Sequence, residues 1–298
     1  MLFEFALDPG ILSNFHSVRY FLEKFGVHRG RLIARFPRKW KKMVYEACAA
    51  CRDVERKKIE ESLINADVKF VSSSRDYDGN LSWLNNAEDQ HTLKPFRAII
   101  TDSNPRAIDA VLIADELTEV TPLWNVPREI VVPRRATDLA RHMRPLLQIS
   151  SEILFVDPHF NPNERRYQET LKHFVQAIGK NDEVLRIEYH LSAEYERAPS
   201  TDFFQRACRL QITCLLPVGM RIKFKRWRQI EGGETLHPRY ILTDKGGVRV
   251  EHGLDEGEDG ETTDISILDL PVYQQRWRDY HESPAFELVD EITIVGSS

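Results

Sequence analysis

Residues 236–247 read Leu236-His237-Pro238-Arg239-Tyr240-Ile241-Leu242-Thr243-Asp244-Lys245-Gly246-Gly247. Residues two apart on an extended strand lie on one face, so this spacing predicts that His237 and Arg239 point the same way. Asp244 precedes a Gly-Gly turn, which is typical of the connection between two hairpin strands. Together the three side chains can handle a phosphoryl group, because histidine attacks phosphorus or moves a proton, arginine holds phosphate oxygens and aspartate orients a ring nitrogen. The alternative is a strand with mixed polar ends.

His237, Arg239 and Asp244 form the pattern His-x-Arg-x4-Asp, which resembles the His-x-Lys-x4-Asp signature of the phospholipase D superfamily. With Gly253-Leu254-Asp255-Glu256 included, the run is more specifically similar to the phospholipase D-like C-terminal domain of MIT-domain proteins and to its relatives in bacterial defence systems. The resemblance covers roughly residues 130–290, the size of a domain. It implies a phospholipase D-like fold and phosphodiester chemistry or recognition.

This chain departs from the family pattern in two ways. Arg239 replaces the lysine, and the motif occurs once, whereas catalytic members carry two copies. Among the ten histidines only His142-Met143-Arg144 repeats the first half, and Ile149 stands where the aspartate would fall. Catalysis of the family type therefore requires a homodimer or another local partner for His237. The MIT-associated branch, which binds membranes without phosphodiesterase activity, implies an inert site instead.

Composition favours a globular protein without a membrane span. The chain has 298 residues, of which 42% are hydrophobic and 29% charged, enough for two domains or one large one. Its net charge of −5 argues against a generally basic nucleic-acid surface but not against a local basic patch. The first eight residues lack the basic and apolar regions of a signal peptide, so we expect a cytoplasmic protein.

The cysteines do not require a metal or a disulfide. Cys48 and Cys51 form one Cys-x-x-Cys pair, whereas Cys208 and Cys214 lack the close spacing of a second pair. We expect free thiols, no metal and no cofactor. A four-cysteine zinc site is the alternative.

Residues 1–130 are predicted to form an N-terminal helical and mixed portion. The pattern indicates a mostly helical stretch over 1–66, strands at 68–71 and 96–101, and a helix from Pro105 with Asn104 as its cap. The basic segment 31–42 either grips a phosphate backbone or is a solvated helix start. A boundary near 130 follows a connection at 115–134 that includes a short strand at 129–132.

Residues 131–298 are predicted to form the phospholipase D-like domain. Its elements alternate as follows: helix 135–149, strand 152–160, helix 161–178, strand 183–191, helix 203–216, strand 220–227, a hairpin of 237–242 with 248–253, helix 272–280 and strand 286–295. Such alternation is typical of a parallel sheet with right-handed crossovers. The predicted class is α/β, with a mixed, mainly parallel sheet flanked by helices.

Ligands of open α/β sheets bind beyond the carboxyl ends of the strands. We expect those ends to carry the candidates Asp157, His159, Glu188 and His190 and the phosphate-binding or nucleic-acid-binding residues Lys223, Lys225, Arg226 and Arg228. One chain would then combine His237, Arg239 and His190 with either Asp157 or His159. Alternatively, His159 and His190 are hydrogen-bonded to backbone, and the lysines form the wet face of an edge strand.

The stretch 251–264 is rich in acidic residues and glycine, and it reads as a mobile loop after the motif. It either covers a basic crevice or is a solvated loop without a role.

Two functions stay open. The first is a metal-independent phosphodiesterase, a nuclease in bacterial antiviral defence, with His237 as nucleophile or general acid-base, Arg239 as phosphate clamp and Asp244 as orienting carboxylate. The second is an inactive binding module for nucleic acid, phospholipid headgroups or a protein partner of the defence system.

Overall fold

The computed structural model of the protein describes residues 1–179, 184–194 and 198–297, which fall into two compact units, Met1–Arg128 and Glu129–Ser298. Each unit contains a sheet with helices on both faces, so the predicted α/β class is confirmed. None of the helices in the described residues combines the length and apolar character needed to cross a bilayer.

The first unit is built on a parallel sheet in the order β3-β2-β1-β4-β5. Its strands are β1 (Phe3–Leu7), β2 (Arg31–Arg35), β3 (Phe70–Ser72), β4 (Ile99–Thr101) and β5 (Val111–Ile113). The chain winds outward from β1 to β3 and then returns to the other side of β1 to form β4. The carboxyl ends of β1 and β4 therefore flank the point where the strand order reverses.

Helices cover both faces of this sheet. They are α1 (Phe15–Lys24), α2 (Trp40–Ala47), α3 (Asp53–Asn65) and α4 (Trp83–Leu93). Alternate strand residues separate into two cores, as expected for a pleated strand: Phe5 and Ile33 pack with α1 to α3, whereas Ala6 and Ala34 pack with α4.

Several elements of the first unit differ from those predicted from the sequence. Residues 1–66 contain α1, α2 and α3, as the helical pattern predicted, but the prediction missed β1 and β2, which are short, largely buried strands that periodicity cannot distinguish from helix. The predicted helix from Pro105 does not form. The Asn104 side chain instead accepts from the Ile108 backbone N–H and donates to the Ile108 and Val111 carbonyls, which closes a turn before β5.

The second unit is built on a mixed sheet in the order β13-β9-β8-β7-β10-β11-β12-β6. Its strands are β6 (Glu129–Pro133), β7 (Glu152–Val156), β8 (Arg186–Ser192), β9 (Arg221–Arg228), β10 (Tyr240–Thr243), β11 (Gly246–Val250), β12 (Thr262–Ile267) and β13 (Glu287–Val295). Strands β7, β8 and β9 run parallel, as the alternating pattern predicted. Strands β10 and β11 form the predicted antiparallel hairpin.

The helices of the second unit are α5 (Ala136–Gln148), α6 (Arg165–Ile178), α7 (Thr201–Gln211) and α8 (Leu270–Trp277), and a π turn, Arg278–Glu282, follows α8. Phe155 of β7 stacks on Phe174 of α6. The neighbouring residues Leu154 and Val156 pack on the opposite face with Tyr280 of the π turn. The strand residues that alternate along β7 thus bury both faces of the sheet.

Local boundaries differ from the predictions in ways that affect the site. Strand β7 ends at Val156, and α6 begins at Arg165, because the Asn161 side chain accepts from the Asn163 N–H in a turn before the helix. Strand β10 begins at Tyr240, so His237 and Arg239 precede the strand. The last three residues of the acidic stretch begin β12, a strand that the sequence did not predict. The predicted strand start at Glu183 lies outside the described residues.

Candidate functional site

The motif lies beside the carboxyl end of β7. Strand β10 runs antiparallel to β7 with Tyr240 opposite Val156, so the segment before Tyr240 continues past the end of β7. Buried Leu236 and Tyr240 anchor this segment on either side of His237. The chain that leaves β7, Asp157-Pro158-His159, meets it there.

Two imidazoles face one another at this edge. The ring centroids of His159 and His237 lie 6.4 Å apart, with the ring planes at 83°. His159 is partly buried, whereas His237 is exposed. The structure therefore brings a second histidine to the motif within one chain, without a second copy of the motif.

The positive charge of Arg239 lowers the pKa of both of its titratable neighbours, His159 and Asp157. Burial lowers the pKa of His159, and the positive charge of Arg239 lowers it further, so this imidazole is neutral at pH 7. The Nε of Arg239 is buried and has no hydrogen-bond partner among the described residues. A buried guanidinium N–H without a partner is costly unless a ligand accepts from it.

Asp157 lies behind these groups and fixes the loop. It is only 1% exposed, and its carboxylate accepts from the backbone N–H of His159 at 3.0 Å and of Leu254 at 2.7 Å. Burial raises the pKa of Asp157, although the two backbone hydrogen bonds and Arg239 oppose that rise. Asp157 thus joins the loop after β7 to the segment after β11.

Asp255 holds that second segment in place. Asp255 is 2% exposed, and its carboxylate forms ion pairs with the guanidinium groups of Arg134 at 2.5 Å and Arg166 at 3.1 Å. Charged pairs of this kind are shorter and stronger than neutral hydrogen bonds. Asp255 therefore joins the segment after β11 to Arg134, which lies between β6 and α5, and to Arg166 of α6.

His190 does not join the motif. It is 0% exposed, its Nε2 lies 3.1 Å from the Glu188 carboxylate, and its Nδ1 accepts from the Trp227 indole at 2.9 Å. None of the contacts described for it involves His237. The proposed combination of His237 with His190 is wrong, because His190 points into the core beneath the π turn, where it packs edge-on against Tyr280.

Asp244 lies at the other end of β10. Its carboxylate accepts from the backbone N–H groups of Ser151 at 2.9 Å and Glu152 at 3.2 Å, where β7 begins. The strand of four residues separates it from Arg239, so it cannot orient His237. Its predicted role in orienting an imidazole is corrected to that of a structural acceptor.

The basic run of β9 is neutralised within the sheet. Lys223 and Arg226 pair with Glu291 and Asp290 of the adjacent β13. The others pair as follows: Lys225 with Glu188, and Arg228 with Glu194 and Glu287. Ion pairs of this kind, most of them between neighbouring strands, stabilise the sheet and engage all four of the predicted phosphate-binding residues. This pairing favours the alternative interpretation of these four residues as structural, and their phosphate-binding role stays a prediction.

The basic segment 31–42 is largely engaged in the first unit. Arg31 stacks on Trp124 at 4.0 Å, and Arg35 and Lys41 both pair with Asp67. This arrangement supports the interpretation as a structural segment rather than a nucleic-acid grip.

The acidic stretch after β11 is held down by ion pairs. Arg134 pairs with Glu261, Arg135 with Asp259, and the Glu256 carboxylate accepts from the first backbone N–H of α5. These contacts join the segment to the start of α5.

The cysteines are free thiols, and the described residues contain no group of three or more His, Cys, Asp or Glu side chains arranged to hold a metal ion. Burial raises the pKa of the Cys48 thiol to about 11, which keeps it protonated.

A pocket of about 440 Å³ opens next to the two histidines. It lies at the carboxyl ends of β7, β8 and β9, as expected for an α/β sheet. Its lining consists of Pro158, His159, Ser192, Glu194, Gln229, Ile230, Glu231 and Leu236. Sequence reasoning missed Ser192, Gln229 and Glu231. The signal available was their position just after the ends of predicted strands.

The first unit has polar side chains at its own reversal point. The Asp8 carboxylate, after β1, accepts from the Thr101 hydroxyl at 2.9 Å and the Gly10 N–H at 2.7 Å, and Asp102 follows β4. Burial raises the pKa of Asp8, and the nearby Asp102 adds to that rise. Sequence reasoning missed these acids because it had not recognised β1.

Comparisons with known proteins add little. No family model matches the sequence, and neither does any curated protein. A solved structure of TrmBL2, an archaeal chromatin protein with a novel mode of DNA binding, is similar at 14% identity and a TM-score of 0.30. The match spans 59% of this chain and 59% of that chain, less than two thirds of TrmBL2. A similarity this weak indicates neither a shared fold nor a shared function.

Proposed function

We propose that the second unit is a phospholipase D-like phosphodiesterase of the nuclease type, acting without a metal ion, with His159 and His237 as its paired imidazoles. The observation that carries the proposal is the 6.4 Å approach of these two rings beside Arg239, whose buried Nε lacks a partner. The resemblance of His237, Arg239 and Asp244 to the superfamily signature supports the same chemistry. A setting in bacterial defence rests on that resemblance alone.

The proposed reaction has two steps. A neutral imidazole forms a bond to phosphorus while the P–O bond to the leaving alcohol breaks, and the second imidazole gives its proton to that oxygen. Water then attacks phosphorus, gives a proton back to the second imidazole and releases the phosphate from the first. His159 suits the first role because its lowered pKa keeps it neutral at pH 7. Arg239 holds the phosphate oxygens throughout.

Hydrolysis of bis(p-nitrophenyl) phosphate in EDTA tests this proposal. We expect turnover in the intact protein and a loss of about 100-fold or more in His159→Ala and His237→Ala, the usual size of a general acid-base contribution. His142→Ala is the matched control, because His142 carries the half-copy of the motif on α5, and it should keep the wild-type rate. Equal rates in all four proteins, or no turnover at all, would contradict the proposal.

The second candidate is a non-catalytic phosphate-binding module. The observation that favours it is Arg239 itself, since a guanidinium holds phosphate firmly but cannot transfer a proton. This module would be supported over the enzyme if the wild-type protein binds a phosphate ligand but does not hydrolyse bis(p-nitrophenyl) phosphate, and if Arg239→Ala abolishes that binding.

A further inference from the structure

We propose that the pocket beside His159 is the subsite for a nucleobase attached to the bound phosphate, and that it selects guanine. This inference rests on the proposed phosphodiester site and names its substrate class. His159 belongs both to the imidazole pair and to the pocket wall, and Leu236 of that wall directly precedes His237. A phosphate between the imidazoles therefore places its attached group at the mouth of the pocket.

The size of the pocket suits a nucleoside. At about 440 Å³ it lies within the range of small-molecule sites. Pro158, Ile230 and Leu236 provide apolar surface against which a flat base can pack. The pocket's polar groups are then left to read the edge of that base.

The two carboxylates of the pocket, Glu194 and Glu231, favour guanine as the base. Glu194 is already used, because it accepts from the Arg228 side chain at 3.0 Å and from the Gln229 backbone N–H at 3.2 Å. Glu231 makes no hydrogen bond or ion pair within the described part of the chain. A carboxylate accepts two parallel N–H bonds, and guanine offers two adjacent donors, N1–H and the N2 amino group, on one edge. The Gln229 amide adds a donor for the guanine O6.

Two other ligand classes fit less well. A choline headgroup is normally held in an aromatic cage, and apart from His159 the residues described as lining this pocket include no aromatic side chain. A long polyanion would bring further phosphates towards Glu194 and Glu231, while Lys223, Lys225, Arg226 and Arg228 of β9 are already paired. The arrangement suits a terminal or single nucleotide better than a duplex.

The test uses p-nitrophenyl esters of GMP, AMP, CMP and UMP, which share the scissile bond and differ only in the base. With EDTA present and the full chain, we expect kcat/KM for the GMP ester to exceed the others by about tenfold to a hundredfold, as one bidentate contact provides. Glu231→Gln should remove this preference, measured as the ratio to the other three esters. Glu251→Gln, an exposed carboxylate that pairs with Arg249, is the matched control and should retain it.

Each outcome decides one of the two proposals. Hydrolysis of bis(p-nitrophenyl) phosphate with equal rates on the four esters overturns the guanine subsite while the phosphodiesterase stands, as does a preference that survives Glu231→Gln. A faster reaction with p-nitrophenylphosphorylcholine overturns it in favour of a lipid headgroup. If bis(p-nitrophenyl) phosphate is not hydrolysed, the phosphodiesterase fails by itself. The affinities of the protein for GMP and AMP, measured by calorimetry, then test the pocket. Tighter binding of GMP supports the guanine subsite, and equal affinity overturns it.

Discussion

His159 and His237 differ in environment although their rings are neighbours. His159 is partly buried and its pKa is lowered by burial and by Arg239, whereas His237 is exposed to solvent on the segment before β10. Two identical groups in unequal environments are a usual basis for unequal roles in acid-base chemistry. The difference arises from chain geometry, because one histidine follows a buried strand and the other precedes one.

The position of Asp244 gives a prediction that separates structure from catalysis. Asp244→Ala removes the acceptor of the Ser151 and Glu152 backbone N–H groups, so the free energy of unfolding should fall by about 1–3 kcal/mol. The rate of phosphodiester hydrolysis per folded molecule should stay unchanged. Urea unfolding and initial rates measure the two effects.

Lys245→Ala is the control for this change. It removes the ion pair to Asp244, 3.0 Å long, but keeps both backbone hydrogen bonds, so its effect on unfolding should be smaller. A large loss of hydrolysis in Asp244→Ala with unchanged stability would return this carboxylate to the active site.

Single residues of the site were only partly predictable. His159, one of the predicted candidates, lies near His237 as expected, because residues after buried parallel strands gather at one edge. The prediction misplaced His190 and Asp244, because spacing along a strand does not reveal which face is covered or which end meets the ligand. Those facts depend on the pairing of β10 with β7 and on the packing of the π turn over His190.

Among the elements, β8 and β9 carry a buried ionic network of Glu188, His190 and Lys225. Burial disfavours the charged form of Glu188, but its hydrogen bonds to His190 and Lys225 outweigh that effect and lower its pKa to about 2. Burial lowers the pKa of His190, which is therefore neutral at pH 7 and accepts from the Trp227 indole. The network joins two neighbouring strands under the helical layer.

Glu188→Gln should destabilise the second unit in a pH-dependent way. A fall in pKa from 4.5 to about 2 corresponds to about 3 kcal/mol of stability at pH 7. Because the folded-state pKa lies below the unfolded one, this contribution is complete above pH 4.5 and is lost as the pH falls towards 2. The difference in unfolding free energy between wild type and variant should therefore shrink over that window. Urea titrations at several pH values measure it.

Glu291→Gln on β13 is a suitable comparison, because its partner Lys223 and Glu291 itself are both partly exposed. A surface pair contributes little, so this variant should change stability by less than about 1 kcal/mol. A Glu188→Gln effect that is equally small, or independent of pH, would show that the buried network does not hold the strands together.

Elements were predictable where periodicity and length agreed. The run β7-α6-β8-α7-β9 was predicted in type and order because its strands are apolar and its helices amphipathic. Strands β1 and β2 were missed because each has only five residues next to helical sequence. Strand β12 was hidden by its acidic surroundings, and its pairing with β6 joins residues far apart in sequence.

At the level of the whole molecule, the chain contains two sheets with separate strand sets and separate cores. The first unit holds a parallel sheet whose central strand is β1, and the second holds the mixed sheet around β7 and β10. Every residue of the proposed phosphodiester site and of the guanine pocket belongs to the second unit. The sequence could indicate the domain-sized block through its motif but not the parallel sheet that precedes it.

The second unit should therefore fold and act as an isolated fragment. A chain of residues 129–298 keeps all eight strands of its sheet and both helical layers, so it should unfold cooperatively and show wild-type hydrolysis of bis(p-nitrophenyl) phosphate in EDTA. Residues 1–128 should also fold, because their core is complete, but should not hydrolyse this ester. Circular dichroism melts and rates of both fragments, with His237→Ala in the longer one as control, measure this. A folded 129–298 fragment that is inactive while the full chain is active would mean that the catalytic site requires the first unit.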